Sequence, residues 1–177
     1  MLYYKKITSP LGELTLRSDG EALTGLWFAG DKHYGDAAIA EAVQADLPVF
    51  TQTEKWLEEY FAGQEPQTQV PLAFFGTPFR KLVWQLLQKI PYGKLVTYAD
   101  ISREIAREKG LKRMSAQAVG GAVGHNPICL IVPCHRVVGQ SGSLTGYGGG
   151  IQRKIALLQL EQVDMSGLTV PTEGIAL

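Results

Sequence analysis

The 177-residue chain has no apolar run approaching the roughly 18 residues that a membrane-spanning helix requires. Its opening, Met1-Leu2-Tyr3-Tyr4-Lys5-Lys6, is charged and aromatic where a secretory leader would be apolar. These absences exclude a helical membrane protein and imply one that stays in the cytoplasm, with no membrane partner. Cysteine is scarce. Cys129 and Cys134 are the only two, too few and wrongly spaced for a disulfide framework or a CxxC metal knuckle. Internal repeats and low-complexity tracts are absent as well. At this length the chain can bury a real core, as one domain or two small ones.

Net charge is also lacking, since 17 Lys/Arg balance 17 Asp/Glu. A neutral chain argues against a nucleic-acid partner until the charges are counted along it. Residues 1–75 carry five basic against eleven acidic side chains, residues 76–161 carry twelve against four, and the remainder adds two acids. The middle segment thus has the electrostatic footprint of a phosphate binder. Attraction between oppositely charged halves is the alternative.

Alternating residues over Tyr3–Ile7 and Leu14–Arg17, around Ser9-Pro10-Leu11-Gly12, predict a hairpin, and Leu23–Phe28 a third strand. Thr53–Phe61 has helical spacing through Trp56 and Tyr60 and stops at Gly63, and the polar stretch 64–69 reads as a linker. An α/β amino-terminal domain over residues 1–75 is expected. The second domain, over 76–165, opens on a helix with Thr77 as cap, Pro78 at its first position, and Phe79, Leu82, Val83, Leu86, Leu87 and Ile90 along one face. Thr97, with Asp100 three residues on, caps a second helix. After a basic loop, Ser115 caps a third that runs to about Val123. That order predicts a helix-turn-helix. Arg136–Val138 and Ser143–Thr145 flank Gly139-Gln140-Ser141-Gly142 as a wing hairpin, Gly150–Glu161 forms a last amphipathic helix, and residues 166–177 remain as a tail. Gly120 and Gly121 sit inside the third helix, where each costs about 1 kcal/mol relative to alanine. Close approach to a nucleic-acid groove compensates for them, or tight packing inside the protein does.

The densest chemistry lies in Asn126-Pro127-Ile128-Cys129-Leu130-Ile131-Val132-Pro133-Cys134-His135-Arg136-Val137-Val138. Ile128–Val132 reads as a buried strand that Pro133 ends, which places Cys134 at an exposed strand end. A free thiol of pKa about 8.5 is only slightly ionised at neutral pH, and cationic neighbours such as His135 and Arg136 raise the thiolate fraction. Successive strand side chains face opposite ways, so His135 reaches its neighbour's sulfur only if the backbone turns there. A buried structural cysteine is the competing reading, and it fits Cys129, which has only apolar neighbours.

Pro-Cys-His-Arg-Val at 133–137, with Asn126-Pro127 upstream, Ala118-Val119-Gly120-Gly121-Ala122 and Tyr147-Gly148-Gly149, resembles the methylated-DNA--protein-cysteine methyltransferases, the O6-alkylguanine-DNA alkyltransferases. The likeness runs from about Thr77 to Glu161 and is loose over the first 75 residues. It implies an α/β protein whose small amino-terminal sheet-and-helix domain is ribonuclease-H-like and whose second domain is a mainly helical, winged helix-turn-helix. It also implies a monomer whose partner is double-stranded DNA containing O6-alkylguanine, or O4-methylthymine. A cysteine there takes the alkyl group irreversibly, once per molecule, without a cofactor.

By this resemblance Cys134 is the alkyl acceptor, His135 the base that takes its proton through a water, and Glu161 the carboxylate that orients His135. Asn126 bridges the helix-turn-helix and the cysteine loop, and Tyr98 rotates the target nucleotide out and donates a proton to guanine O6. Val137, Tyr147, Gly148 and Gly149 resemble the walls of the base pocket, and Ala99, Lys112, Arg113, Gln117 and Gln140 the DNA contacts. Taken singly, Glu161 also reads as a solvated helix end, Asn126 as an Asn-Pro turn, Tyr98 as packing, and the glycines as turn residues. Gln117 stands where many relatives place an arginine that fills the gap left by the base, so weaker DNA affinity or flipping is expected. The amino-terminal half has no cysteine and only His33, so the zinc site of some relatives is not expected here. The rival readings are a damaged-base binding protein without transfer, against which the thiol argues; a Cys-His hydrolase, which has no use for a helix-turn-helix; and a transcription factor, which leaves Cys134 unexplained.

Overall fold

The computed structural model describes residues 1–171; residues 172–177 of the expected tail lie outside the described residues. The chain divides into two compact units, Met1–Phe75 with Pro127–Cys129, and Gly76–Asn126 with Leu130 onward.

In the first unit, strands β1 (Tyr3–Ile7), β2 (Leu14–Ser18), β3 (Leu23–Phe28) and β4 (Val43–Gln44) form one sheet in the order β3-β2-β1-β4. β1 pairs antiparallel with β2 from Tyr3↔Ser18 to Ile7↔Leu14, and the turn between them closes through reciprocal backbone bonds of Ser9 and Gly12. β4 lies parallel to β1, an element the sequence pattern does not announce in its two exposed residues. Every residue of β3 is buried. Its outer edge is covered by Leu23 N–H to Pro71 and by reciprocal bonds of Leu26 with Pro127 and Cys129, which deny it to foreign strands. Helix α1 spans Pro48–Phe61 and places Phe50, Leu57 and Tyr60 in the core, with Trp56 stacked on Tyr60 at 5.3 Å. It begins five residues before the expected Thr53, because Pro48 is itself a favourable first helical residue.

In the second unit, α2 (Pro78–Leu87), α3 (Tyr98–Lys109) and α4 (Ala116–Gly124) pack against one another. Their starts are set by side-chain caps. Thr77 accepts from Arg80 N–H, Thr97 and Asp100 form a reciprocal capping box, and Ser115 accepts from Ala118 N–H. Trp84 Nε1 donates at 2.8 Å to the Ala122 carbonyl, satisfying one acceptor left over at the end of α4. Helix α5 (Ile151–Leu160) closes the unit, and Val138, Leu144 and Leu158 form a small apolar cluster beside it.

Two local expectations fail. Only Ile128 of the stretch 128–132 makes a β-bridge, to Leu26; residues 129–131 turn, with Leu130 at φ 69°. An apolar run does not distinguish a buried strand from a buried turn, and here the Asn126 side chain supplies the donor that a ladder would have given to Val132. The wing hairpin does not extend beyond its turn either. Strand β6 (Val137–Val138) pairs parallel with β5 (Val96–Thr97), residues 140–142 form a 3₁₀ turn, and Ser143 bridges to Thr169. Gly139 N–H still donates to Ser143 O at 2.8 Å to close the turn, but beyond that bond the two flanks pair elsewhere.

Candidate active site

Cys134 does not stand at an exposed strand end. It is 8% exposed and begins a 3₁₀ turn over Cys134–Arg136, so the backbone does turn at this point, as a role for His135 requires. Asn126 holds the approach to the turn, its Nδ2 donating at 2.8 Å to Val132 O.

His135 is fully buried, with Nε2 2.5 Å from Glu161 Oε2. Burial lowers its pKa below 6.5 and the charges of Arg136 and Lys154 add to that, against the pull of Glu161. The imidazole is therefore neutral at neutral pH. With Nε2–H donated to the carboxylate, Nδ1 is the basic nitrogen. The other Glu161 oxygen accepts from Arg136 Nε at 2.8 Å and from Gly93 N–H at 2.9 Å. Burial alone would raise the Glu161 pKa, but the hydrogen bonds and charges of His135 and Arg136 hold it well below the usual carboxylate range.

Arg136 spends its charge on this carboxylate and on the Ile90 carbonyl, 2.7 Å from Nη1. Both residues that follow Cys134 are thus engaged with Glu161. A further buried cation is Lys154 of α5, whose Nζ donates to Val137 O at 2.5 Å and to Thr145 O at 2.8 Å. Burial brings its pKa down to about 8, and interaction with Cys134 opposes the drop. Tyr98 lies on the same side. Burial, and then the charge of Cys134, push its phenol up to about 12, and its hydroxyl donates at 3.1 Å to Thr145 O. A protonated phenol and an ammonium that share the Thr145 carbonyl, and a neutral imidazole on an ionised carboxylate next to Cys134 in the chain, supply groups suited to removing a proton from a thiol and delivering one to a group beside it.

Residues 2–74 match the family model described as 6-O-methylguanine DNA methyltransferase, ribonuclease-like domain, and residues 78–163 match its DNA binding domain. The chain belongs to the 6-O-methylguanine DNA methyltransferase family. It is 41% identical over 163 residues to the methylated-DNA--protein-cysteine methyltransferase of Haemophilus influenzae, covering 92% of this chain and 87% of that one. The protein of that name from Mycobacterium tuberculosis is 44% identical over 162 residues, covering 92% and 93%. A crystal structure of Mycobacterium tuberculosis OGT in complex with DNA superimposes with a TM-score of 0.79 at 43% identity, over 90% of this chain and 92% of that one.

Of the residues the methyltransferase motifs single out, Tyr98, Asn126, Cys134, His135 and Glu161 converge in the second unit. Tyr147 is buried, its ring edge-on to His135 at 6.5 Å, and Gly148 and Gly149 form a half-buried turn. The Val137 carbonyl is engaged by Lys154. Ala99 is half-buried in the first turn of α3, whereas Lys112, Arg113, Gln117 and Gln140 are exposed. Around Gly120 and Gly121 no atom lies within 4 Å of where a Cβ would stand, so tight packing inside the protein is not what these glycines serve. Sequence reasoning missed Lys154, although Lys154, Leu157, Leu158 and Glu161 share one helical register and the first of them is a cation in an apolar stripe.

Proposed function

We propose that this DNA-repair alkyltransferase takes the alkyl group from O6-alkylguanine in double-stranded DNA onto Cys134 Sγ, once per molecule and without a cofactor, acting as a monomer in the cytoplasm. Among the described residues no helix is long and apolar enough to cross a membrane. The observation that carries the reading is the buried His135–Glu161 hydrogen bond beside Cys134, because it gives the thiol a neutral, oriented base.

The thiol proton passes through a water to His135 Nδ1. The thiolate attacks the alkyl carbon, the carbon–O6 bond breaks as the S–C bond forms, and the electron pair leaves with guanine O6. Tyr98 returns a proton to the purine and is reprotonated from solvent, so charge and protons balance. Lys154 lowers the energy of both anions. The glycines of α4 let its backbone come close to the DNA, Ala99, Gln117 and Gln140 line the same interface, and Lys112 and Arg113 hold phosphates, which makes affinity fall steeply with salt. Tyr147, Gly148, Gly149 and the Val137 backbone wall the extruded base.

Mass spectrometry after incubation with a duplex carrying O6-methylguanine tests the proposal. The peptide containing Cys134 gains one methylene mass, and Cys134→Ala gains none. Tight binding to the lesion with an unmodified peptide would instead favour damaged-base recognition without transfer.

A further inference from the structure

We infer that the segment Val163–Thr169, beyond the last helix, is a positioning element for alkyl transfer: it adds a short strand to the loop 142–144 and so fixes the Thr145 carbonyl that holds both Tyr98 and Lys154. The inference rests on the reaction proposed above.

The segment turns back after α5 through Val163 N–H to Leu158 O and Leu168 N–H to Met165 O. Thr169 then donates to Gly142 O at 3.0 Å and accepts from Leu144 N–H at 2.8 Å, the two bonds of a parallel bridge about Ser143. Gly142 is required for this contact. Its φ is 78°, and a Cβ there would run into the Gly167 carbonyl. Val163, Met165 and Leu168 cover Val138, Leu144 and Leu158, leaving Leu144 2% exposed.

The next residue carries the consequence. Thr145 O accepts from Tyr98 Oη at 3.1 Å and from Lys154 Nζ at 2.8 Å, and a Cβ on Gly146 would stand 2.7 Å from the Tyr98 hydroxyl. Only the two residues Leu144 and Thr145 lie between the Leu144 amide and the Thr145 carbonyl. Anchoring the amide with a hydrogen bond and the side chain in an apolar cluster leaves the carbonyl little freedom. Without the strand, Gly142 O and Leu144 N–H face water, and the loop is free to carry Thr145 away from the proton donor and the buried cation.

Thr169→Pro removes the N–H that Gly142 accepts while the rest of the segment stays, and Thr169→Ala keeps every backbone bond. Single-turnover transfer from methylated duplex, binding of the same duplex to each chain with Cys134→Ala added, and circular dichroism are compared for parent and variants. Thr169→Pro should transfer at least about tenfold more slowly, with DNA affinity within about twofold of the parent and a parental circular dichroism spectrum, whereas Thr169→Ala transfers as the parent does. A Thr169→Pro chain that transfers at the parental rate overturns the inference, as does one whose slower transfer is matched by an equal loss of DNA affinity or of folded signal. If the parent itself leaves Cys134 unmodified, the repair reading fails first.

Discussion

Replacing Glu161 with glutamine keeps its volume and removes its charge at the point where three donors meet. The parent carboxylate accepts from His135 Nε2, Arg136 Nε and Gly93 N–H through two oxygens. Glutamine offers one oxygen, so its amide N–H must face either the imidazole or the guanidinium donor. The guanidinium, with its side chain 9% exposed, also loses its counter-charge. Breaking a buried pair of this kind costs about 3–5 kcal/mol, a loss that a domain in the middle of the ordinary range, at roughly 10 kcal/mol, survives folded. Loss of an oriented base lowers the transfer rate by about 10²–10⁴. The pH dependence separates misplaced chemistry from general damage. In the parent, His135 acts only when neutral, and its pKa lies below 6.5, so the rate falls as pH drops through that lowered value. Glu161 is one of the groups that raise it, so in Glu161→Gln the acid limb moves to still lower pH while the plateau drops. Quenched single-turnover transfer over about pH 5–8, alongside urea unfolding, measures both effects. A variant with the parental plateau and the parental acid limb would refute the assignment of Glu161 to His135.

Lys154 titrates at about 8 in the folded chain against an ordinary 10.5, so between those values the unfolded chain binds more protons and stability rises with pH, by roughly 3 kcal/mol in all. Urea melts should show this rise in the parent and not in Lys154→Met; equal slopes in the two would show that the amine is not held in low dielectric. Gly121→Ala should raise stability by up to about 1 kcal/mol, since nothing stands near its Cβ position, and at the same time weaken binding to duplex DNA. An unchanged dissociation constant would remove the groove-contact reading. Gln117→Arg, at an exposed position, should tighten DNA binding and speed transfer without altering the melting temperature; a titration with no change would dismiss the idea that glutamine weakens base extrusion.

Local chemistry made much of this molecule legible. Thr77, Thr97 and Ser115 announce three helix starts because a hydroxyl before an apolar run has one strongly favoured job, and each performs it. The β1–β2 hairpin follows from alternation and one turn. What stayed hidden depends on residues far apart in sequence. Nothing local pairs Glu161 with His135, 26 positions away, and only the family resemblance brought them together before the structure did. The apolar run 128–132 misled because burial without alternation carries no period. The wing hairpin shrinks to one bond between Gly139 and Ser143 because Val137–Val138 pair with Val96–Thr97 and Ser143 also bridges to Thr169. Lys154, a buried cation of the same unit, stayed hidden because only the 3.6-residue register of α5 sets it on one stripe with Glu161.

The excursion of Pro127–Cys129 into the first unit has a consequence for any attempt to divide this protein. The polypeptide passes between the units three times, near residues 75, 127 and 129, so no single scission separates them. A protease that nicks the polar stretch 64–69 leaves Leu26 still bonded to Pro127 and Cys129, and the fragments should travel together on a sizing column until denaturant is added. Expressed alone, residues 76–177 would carry those three residues without their strand, directly before the turn that presents the thiol.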